Sequence, residues 1–279
     1  MLCSCLKLSF SVAIPVAHLH GGEITEGAYD DSIRHAITKL SHLHFTSTEA
    51  YRQRVIQLGE NPERVFYVGA IGIENIKKTQ LLSKDELQLS MGFLLGDKSL
   101  LVTFHPVTLE FETAKEQCEN LLSVLDGLSD YKIIFTYPNS DTDGRVIIKL
   151  ITNFVSAHKD RTIAFTSLGK VRYLSALQYM TAVIGNSSSG IIEVPSFGIP
   201  TLDIGDRQKG RIAAESVIHC GTTINEMKRG IELVLSEKFR ILAKKTVNPY
   251  QKEGTIVDIL EVIKDYPLND ILKKTFYDL

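Results

Sequence analysis

Cysteine is scarce in this chain: four in 279 residues, at positions 3, 5, 118 and 220. Cys3 and Cys5 are too close for an ordinary disulfide, and no C-x-x-C pair suggests zinc. Reduced thiols of a cytoplasmic protein are the expectation. A basic excess is also lacking. The 31 Lys and Arg are outnumbered by 33 Asp and Glu, for a net charge of −2. That gives no electrostatic footprint for nucleic acid or an anionic membrane surface. An anionic ligand would have to be held by local groups, such as helix N-termini and a few arginines. No apolar run approaches the length of a membrane span, and neither short repeats nor low-complexity tracts occur. The apolar start lacks the flanks of a secretory leader, since Lys7 lies inside the run and Pro15 suits a cleavage site poorly. Met1–Ser11 instead reads as the end of a helix.

What is present is alternation. Val12–Ala17 is an apolar run of strand length. Asp30 or Asp31 caps a helix with Ile33, Ile37 and Leu40 on one face. His44–Ser47 follows as a strand. Thr48 caps a helix that runs to Leu58 and stops at Gly59. Asn61-Pro62 turns the chain into a strand over Arg64–Val68. This βαβαβ order predicts a doubly wound, Rossmann-like sheet. After a linker and a helix in residues 74–98, alternation resumes. Strands are predicted at Leu100–Phe104, Lys132–Thr136, Thr162–Phe165, Ala182–Ile184 and Thr201–Ile204. Helices are predicted between them, including Ser189–Phe197, and at Ile224–Leu235, Lys238–Lys244 and Ile256–Ile263. The expected domains are 1–75, a second Rossmann-like domain over 76–255, and a C-terminal helix over 256–279.

Candidate chemistry sits at predicted strand ends, where ligands bind in open α/β sheets. In the first domain, His18, His20 and Glu23 surround Gly21-Gly22, with Asp30, Asp31 and Arg34 just beyond. Carboxylates and imidazoles gathered there can divide acid and base roles. His35, His42 and His44 are weaker candidates. His18-x-His20 also permits a metal reading, but the two-domain pattern fits that poorly. In the second domain, His105 follows one strand and Asn139 another. Gly185-Asn-Ser187-Ser188-Ser189-Gly opens a helix, as a phosphate cradle does. Glu193 lies one turn inside, placed to meet ribose hydroxyls. Arg207 and Arg211 offer guanidiniums for phosphate.

Together these motifs resemble the UDP-N-acetylglucosamine 2-epimerases, nearest to the hydrolysing branch of sialic and legionaminic acid synthesis. The resemblance rests on the run from His18 to His42. Phe104-His105-Pro106, Gly185 to Glu193 and Ile204 to Arg211 follow it in order. It implies a GT-B architecture, with two Rossmann-like domains, an interdomain active site, and a last helix that returns to the first domain. It also implies conversion of UDP-N-acetylglucosamine to N-acetylmannosamine and UDP through a glycal, without metal or nicotinamide, by a homo-oligomer. Glu23, Asp30, Asp31 and His20 are the candidates for the C2 base. The resemblance assigns His105 and the Ser187–Ser189 entrance to the diphosphate and Glu193 to the ribose. It places Arg207 or Arg211 near the nucleotide.

One departure from the family pattern stands out. Relatives carry opening strands, a basic loop and a Gly-Asp-Arg segment before the point where this chain begins. The expectation is therefore an incomplete first domain that exposes a sheet edge, and a chain that binds nucleotide but turns over poorly. Two other readings compete: a GT-B glycosyltransferase, and an inactive nucleotide-sugar binding protein.

Overall fold

The computed structural model describes residues 13–26, 30–107, 113–138 and 142–279. The elements run β1 (Ala17–Leu19), α1 (Asp30–Leu40), β2 (Leu43–Thr46), α2 (Glu49–Gln57), β3 (Val65–Tyr67), α3 (Ile71–Lys78) and α4 (Lys84–Met91). They continue with β4 (Ser99–Thr103), α5 (Ala114–Asp126), β5 (Lys132–Thr136), α6 (Thr142–Ala157), β6 (Thr162–Phe165) and α7 (Gly169–Leu177). The last are β7 (Ala182–Gly185), α8 (Ser188–Ile192), β8 (Thr201–Ile204), β9 (Val217–Cys220), α9 (Ile224–Leu235), α10 (Glu237–Lys245) and α11 (Thr255–Asp265). The described residues divide into two compact units, of which one holds residues 13–25, 30–77 and Tyr250–Leu279 and the other holds Glu26 and Lys78–Pro249. Among the described residues, no helix is long and apolar enough to cross a membrane.

In the first unit, β1, β2 and β3 form a parallel sheet in that order. Thr48 caps α2 by accepting from Tyr51 N, as its position before the helix predicts. The C-terminal segment completes this unit's core. Ile259 of α11 and Ile271 pack on Leu43, Phe45 and Val68. Thr255 Oγ1 donates to Val68 O at 2.7 Å, and Tyr250 Oη meets Tyr51 Oη at 3.1 Å.

Two expectations for this unit need correction. The first strand is not Val12–Ala17. Residues 13–16 are not strand, and β1 starts at Ala17, so His18 lies inside the ladder, paired with His44. Val12 and the expected helix end over Met1–Ser11 lie outside the described residues. The second correction concerns α1. Its buried residue is Thr38, whereas Ile33 is 50% exposed. Arg34 and Thr38 face the polar end of β1, and that hydrogen bonding, not the apolar stripe, orients the helix.

The second unit is a six-stranded parallel sheet ordered β6-β5-β4-β7-β8-β9. Counted from β4, this is the 3-2-1-4-5-6 order of a Rossmann sheet. Sheets covered on both faces read as continuous apolar runs, and every residue of β4, β7 and β8 is buried. Leu100, Val102, Phe135, Ile184 and Leu202 form the core with Leu121 and Leu125 of α5 and Ile231 of α9. The strand β9 was not expected. Val217-Ile-His-Cys is short, and His219 masks its apolar pattern, yet its pairing with β8 completes the sheet.

Candidate functional site

Strand order reverses between β4 and β7, which pair directly. Ligands of such sheets bind beyond the carboxyl ends of the strands at this point. Gly185 ends β7 at φ 138°, where a Cβ would lie 1.8 Å from Thr103 O, so only glycine fits. Asn186 follows and is fully buried. Its amide reads the neighbouring loop twice. His105 N donates to Asn186 Oδ1 at 2.7 Å, and Asn186 Nδ2 donates to His105 O at 2.8 Å. Asn186 O accepts from Arg207 Nη1 at 2.9 Å and from Gln208 Nε2 at 3.0 Å. One asparagine thereby ties the loops after β4, β7 and β8. Asn186 and Gln208 fall within the sequence motifs but are not singled out by them, because neither carries the charge or nucleophile that marks a candidate.

A pocket of about 380 Å³ opens beside these loops, lined by Thr103, His105, Thr136, Tyr137, Lys170 and Glu193 among others. Residues 187–189 follow Asn186. The helix they open is shorter than expected. It is α8, of five residues, followed by a 3₁₀ turn over Val194–Phe197, because Pro195 has no N–H to continue the ladder. Ser187 occupies the N-cap without a side-chain capping bond. Ser189 is committed differently, since its hydroxyl donates to Glu193 Oε2 at 2.5 Å. Asp203 lies buried on β8; burial holds its carboxyl above the usual range, against the opposing pull of the His219 hydrogen bond and of Arg207 and Arg211. Arg211 is thus placed near an internal carboxylate as well as near the loop. Asn139 lies outside the described residues.

The first unit gathers a second set. Gly22 has φ 77°, and a Cβ there would be 2.4 Å from Tyr51 O. The turn it allows brings Glu23 back under the strand ends, where it is 4% exposed. Glu23 Oε1 accepts from Ser47 Oγ at 2.8 Å and meets His20 Nδ1 at 2.8 Å. A carboxylate only accepts, so Nδ1 carries the hydrogen, and in the neutral ring Nε2 is the nitrogen with the lone pair. The His20 side chain is 36% exposed. Its backbone sits at φ 62°, a conformation rare outside glycine and concentrated at functional sites.

His18 is a different kind of group. It is 9% exposed, and its Nδ1 lies 3.2 Å from Thr38 Oγ1. Burial, helped by repulsion from His44 and Arg34, lowers its pKa to about 4. The ring is therefore neutral near pH 7 and brings no charge to a phosphate. Asp31 anchors the loop, with Oδ1 accepting from Thr25 N at 3.0 Å and from Arg34 Nη1 at 3.4 Å. Arg34 also donates to Glu23 O at 2.9 Å. Asp30 stands exposed in the first turn of α1. His44 and His42 are buried. His44 Nε2 pairs with the buried Glu60 Oε2 at 2.9 Å, and His42 Nδ1 accepts from Val16 N. Among the described residues, no three His, Cys, Asp or Glu side chains cluster as metal ligands would.

Known proteins resemble this chain over most of its length. The family model for UDP-N-acetylglucosamine 2-epimerase matches residues 3–264. The polysialic acid biosynthesis protein P7 of Escherichia coli is 42% identical over 279 residues, covering 97% of this chain and 71% of that protein. The hydrolysing GDP/UDP-N,N'-diacetylbacillosamine 2-epimerase of Campylobacter jejuni is 40% identical, covering 95% of this chain and 69% of that protein. Among solved structures, S. aureus MnaA with UDP superposes with a TM-score of 0.77 at 18% identity, covering 98% of this chain and 73% of that one. The UDP-N-acetylglucosamine 2-epimerase of Neisseria meningitidis gives 0.75 at 17%, covering 93% and 72%. On the matched family model and the identity to these relatives, the chain belongs to the UDP-N-acetylglucosamine 2-epimerase family.

Proposed function

We propose that this protein is a hydrolysing 2-epimerase. It converts UDP-N-acetylglucosamine, or a diacetamido counterpart, into the free 2-epimeric sugar and UDP, using one water. The observation that carries this is the His20–Glu23–Ser47 chain. In this reading it is a base held in one tautomer, at the end of a strand, for a reaction that opens with loss of the C2 proton. His20 Nε2 takes that proton as the C1–oxygen bond to UDP breaks, leaving a glycal. Glu23 stabilises the imidazolium so formed. Water then adds at C1 while a proton returns to C2 from the opposite face. Asp30 is the carboxylate candidate for that return, because Asp31 is committed to Thr25 N.

The second unit supplies the nucleotide groups in this reading. His105, the backbone N–H groups at 187–189 and Arg207 are preorganised donors for a diphosphate that gathers charge as it leaves. Glu193 takes ribose hydroxyls, and the pocket beyond it takes the base. In this reading the product enters sialic- or legionaminic-type acid synthesis; one relative's name places that relative in polysialic acid biosynthesis, and another's gives diacetylbacillosamine as its sugar. The reading includes a homo-oligomer in the cytoplasm. Burial pushes the thiols of Cys118 and Cys220 up to about 12, away from the reactive thiolate, so neither is offered a role in the chemistry.

Calorimetric titration with UDP and with GDP tests the nucleotide half. Saturable binding that favours UDP is expected. Preference for GDP would change the substrate, and no binding of either by a folded chain would contradict the assignment.

A further inference from the structure

We infer that Tyr173 is a positioning residue for nucleotide recognition, acting through Ser189 to hold Glu193 at the pocket wall. The inference rests on the reading in which Glu193 accepts ribose hydroxyls. Tyr173 lines the same pocket from α7, on an element separate from Ser189 and Glu193. Its hydroxyl is hydrogen-bonded to Ser189 Oγ. Ser189 Oγ in turn donates to Glu193 Oε2 at 2.5 Å. A serine hydroxyl has one hydrogen and two lone pairs. Once that hydrogen is given to the carboxylate, Ser189 can only accept from Tyr173, so the relay runs Tyr173 to Ser189 to Glu193. Burial, reinforced by the nearby Glu193 charge, keeps the phenol protonated, as a donating Tyr173 requires.

Two consequences follow for the pocket. Ser189 has no hydroxyl hydrogen left for a phosphate, so among the three serines Ser187 and Ser188 are the hydroxyl donors. Glu193 needs this support because it sits at the break between α8 and the 3₁₀ turn, at φ −97° and ψ −45°, where the helix ladder stops. With Oε2 held, Oε1 is the oxygen left to accept a vicinal diol. Tyr173 thereby makes recognition depend on ribose hydroxyls without touching them.

The test compares dissociation constants for UDP and for 2′,3′-dideoxy-UDP in the parent chain and in Tyr173→Phe, Ser189→Ala and Glu193→Ala. The parent prefers UDP. In Tyr173→Phe, UDP binding weakens about fivefold, the loss of roughly one hydrogen bond, while dideoxy-UDP binding is unchanged, so the preference shrinks. Ser189→Ala, which breaks the relay in the middle, shrinks it as well and carries the test if the phenylalanine variant does not fold. A purely packing role for Tyr173 would instead weaken both ligands alike, and that result overturns the inference. It is also overturned if Glu193→Ala abolishes the preference but Tyr173→Phe and Ser189→Ala leave it intact, in which case the ribose reading stands. If Glu193→Ala keeps the parental preference, the ribose reading itself fails.

Discussion

His20→Ala is expected to lower the rate of UDP release from UDP-N-acetylglucosamine by about 10²–10⁴-fold, the usual worth of a positioned general base. Single turnover with enzyme in excess keeps even a slow parental rate readable. Nucleotide affinity should change little, because the nucleotide groups lie on the second unit. Glu23→Gln is the sharper companion. Its amide keeps the size of the side chain, but it loses the charge that favours the imidazolium and can turn an N–H toward His20. The expected loss is smaller than for His20→Ala, and it should appear in kcat rather than in KM. Ser47→Ala should follow in the same direction and more weakly, since it removes one donor that fixes the carboxylate. If His20→Ala retained parental turnover, the base would have to be sought elsewhere, with Asp30 first. The φ of 62° at His20 would then need another reason.

Glu60→Ala should cost about 3–5 kcal/mol of stability, as breaking a buried ion pair on one side does. Glu60 is 1% exposed and meets three partners: His44 Nε2 at 2.9 Å, Lys39 Nζ at 2.7 Å and Lys274 Nζ at 2.7 Å. Lys274 also donates to Lys39 O at 2.9 Å and to Ser41 O at 2.6 Å, so the C-terminal tail clasps the end of α1. Burial alone would raise the Glu60 pKa, but hydrogen bonds from His44, Lys274 and Lys39 outweigh it and bring the value to about 2, from 4.5. A depressed carboxylate contributes stability that is present above its unfolded value and lost as pH falls toward the folded one. The Glu60 contribution is therefore lost between pH 4.5 and about 2. His18 adds an earlier loss. Its folded pKa of about 4, against 6.5, means the unfolded chain binds the proton first, so stability also declines as pH falls from 6.5 toward 4. Urea midpoints measured across this range should drop in both windows, and Glu60→Ala should flatten the lower one. A midpoint independent of pH in the parent would contradict the cluster.

The alternation of elements was legible because parallel strands buried on both faces are written as unbroken apolar runs. Leu100–Val102, Ile133–Phe135 and Ala182–Ile184 are of this kind. The loop at 185–190 was legible as a strand-to-helix turn because glycine and small hydroxyl residues favour such turns. The arrangement of His20 against Glu23 was not. Both types suit the chemistry, and only the fold shows that Glu23 is buried as the partner while Nε2 of His20 keeps the lone pair. Strand β9 was hidden by its length and by His219. Tyr173 was hidden because a tyrosine on an amphipathic helix reads as packing. The Glu60–Lys274 contact joins residues far apart in the chain, which no local pattern encodes. The face of α1 was misread for a related reason: periodicity reports where apolar residues fall, not that Arg34 and Thr38 would be claimed by Glu23 and His18.

The most direct test of the central claim is to incubate the protein with UDP-N-acetylglucosamine in D₂O and to follow the sugar and nucleotide by proton NMR. Elimination and rehydration predict UDP together with a free sugar of inverted configuration at C2 that carries deuterium at that carbon. UDP released with a free sugar that keeps its C2 proton and configuration would mean simple hydrolysis, and would contradict a 2-epimerase mechanism.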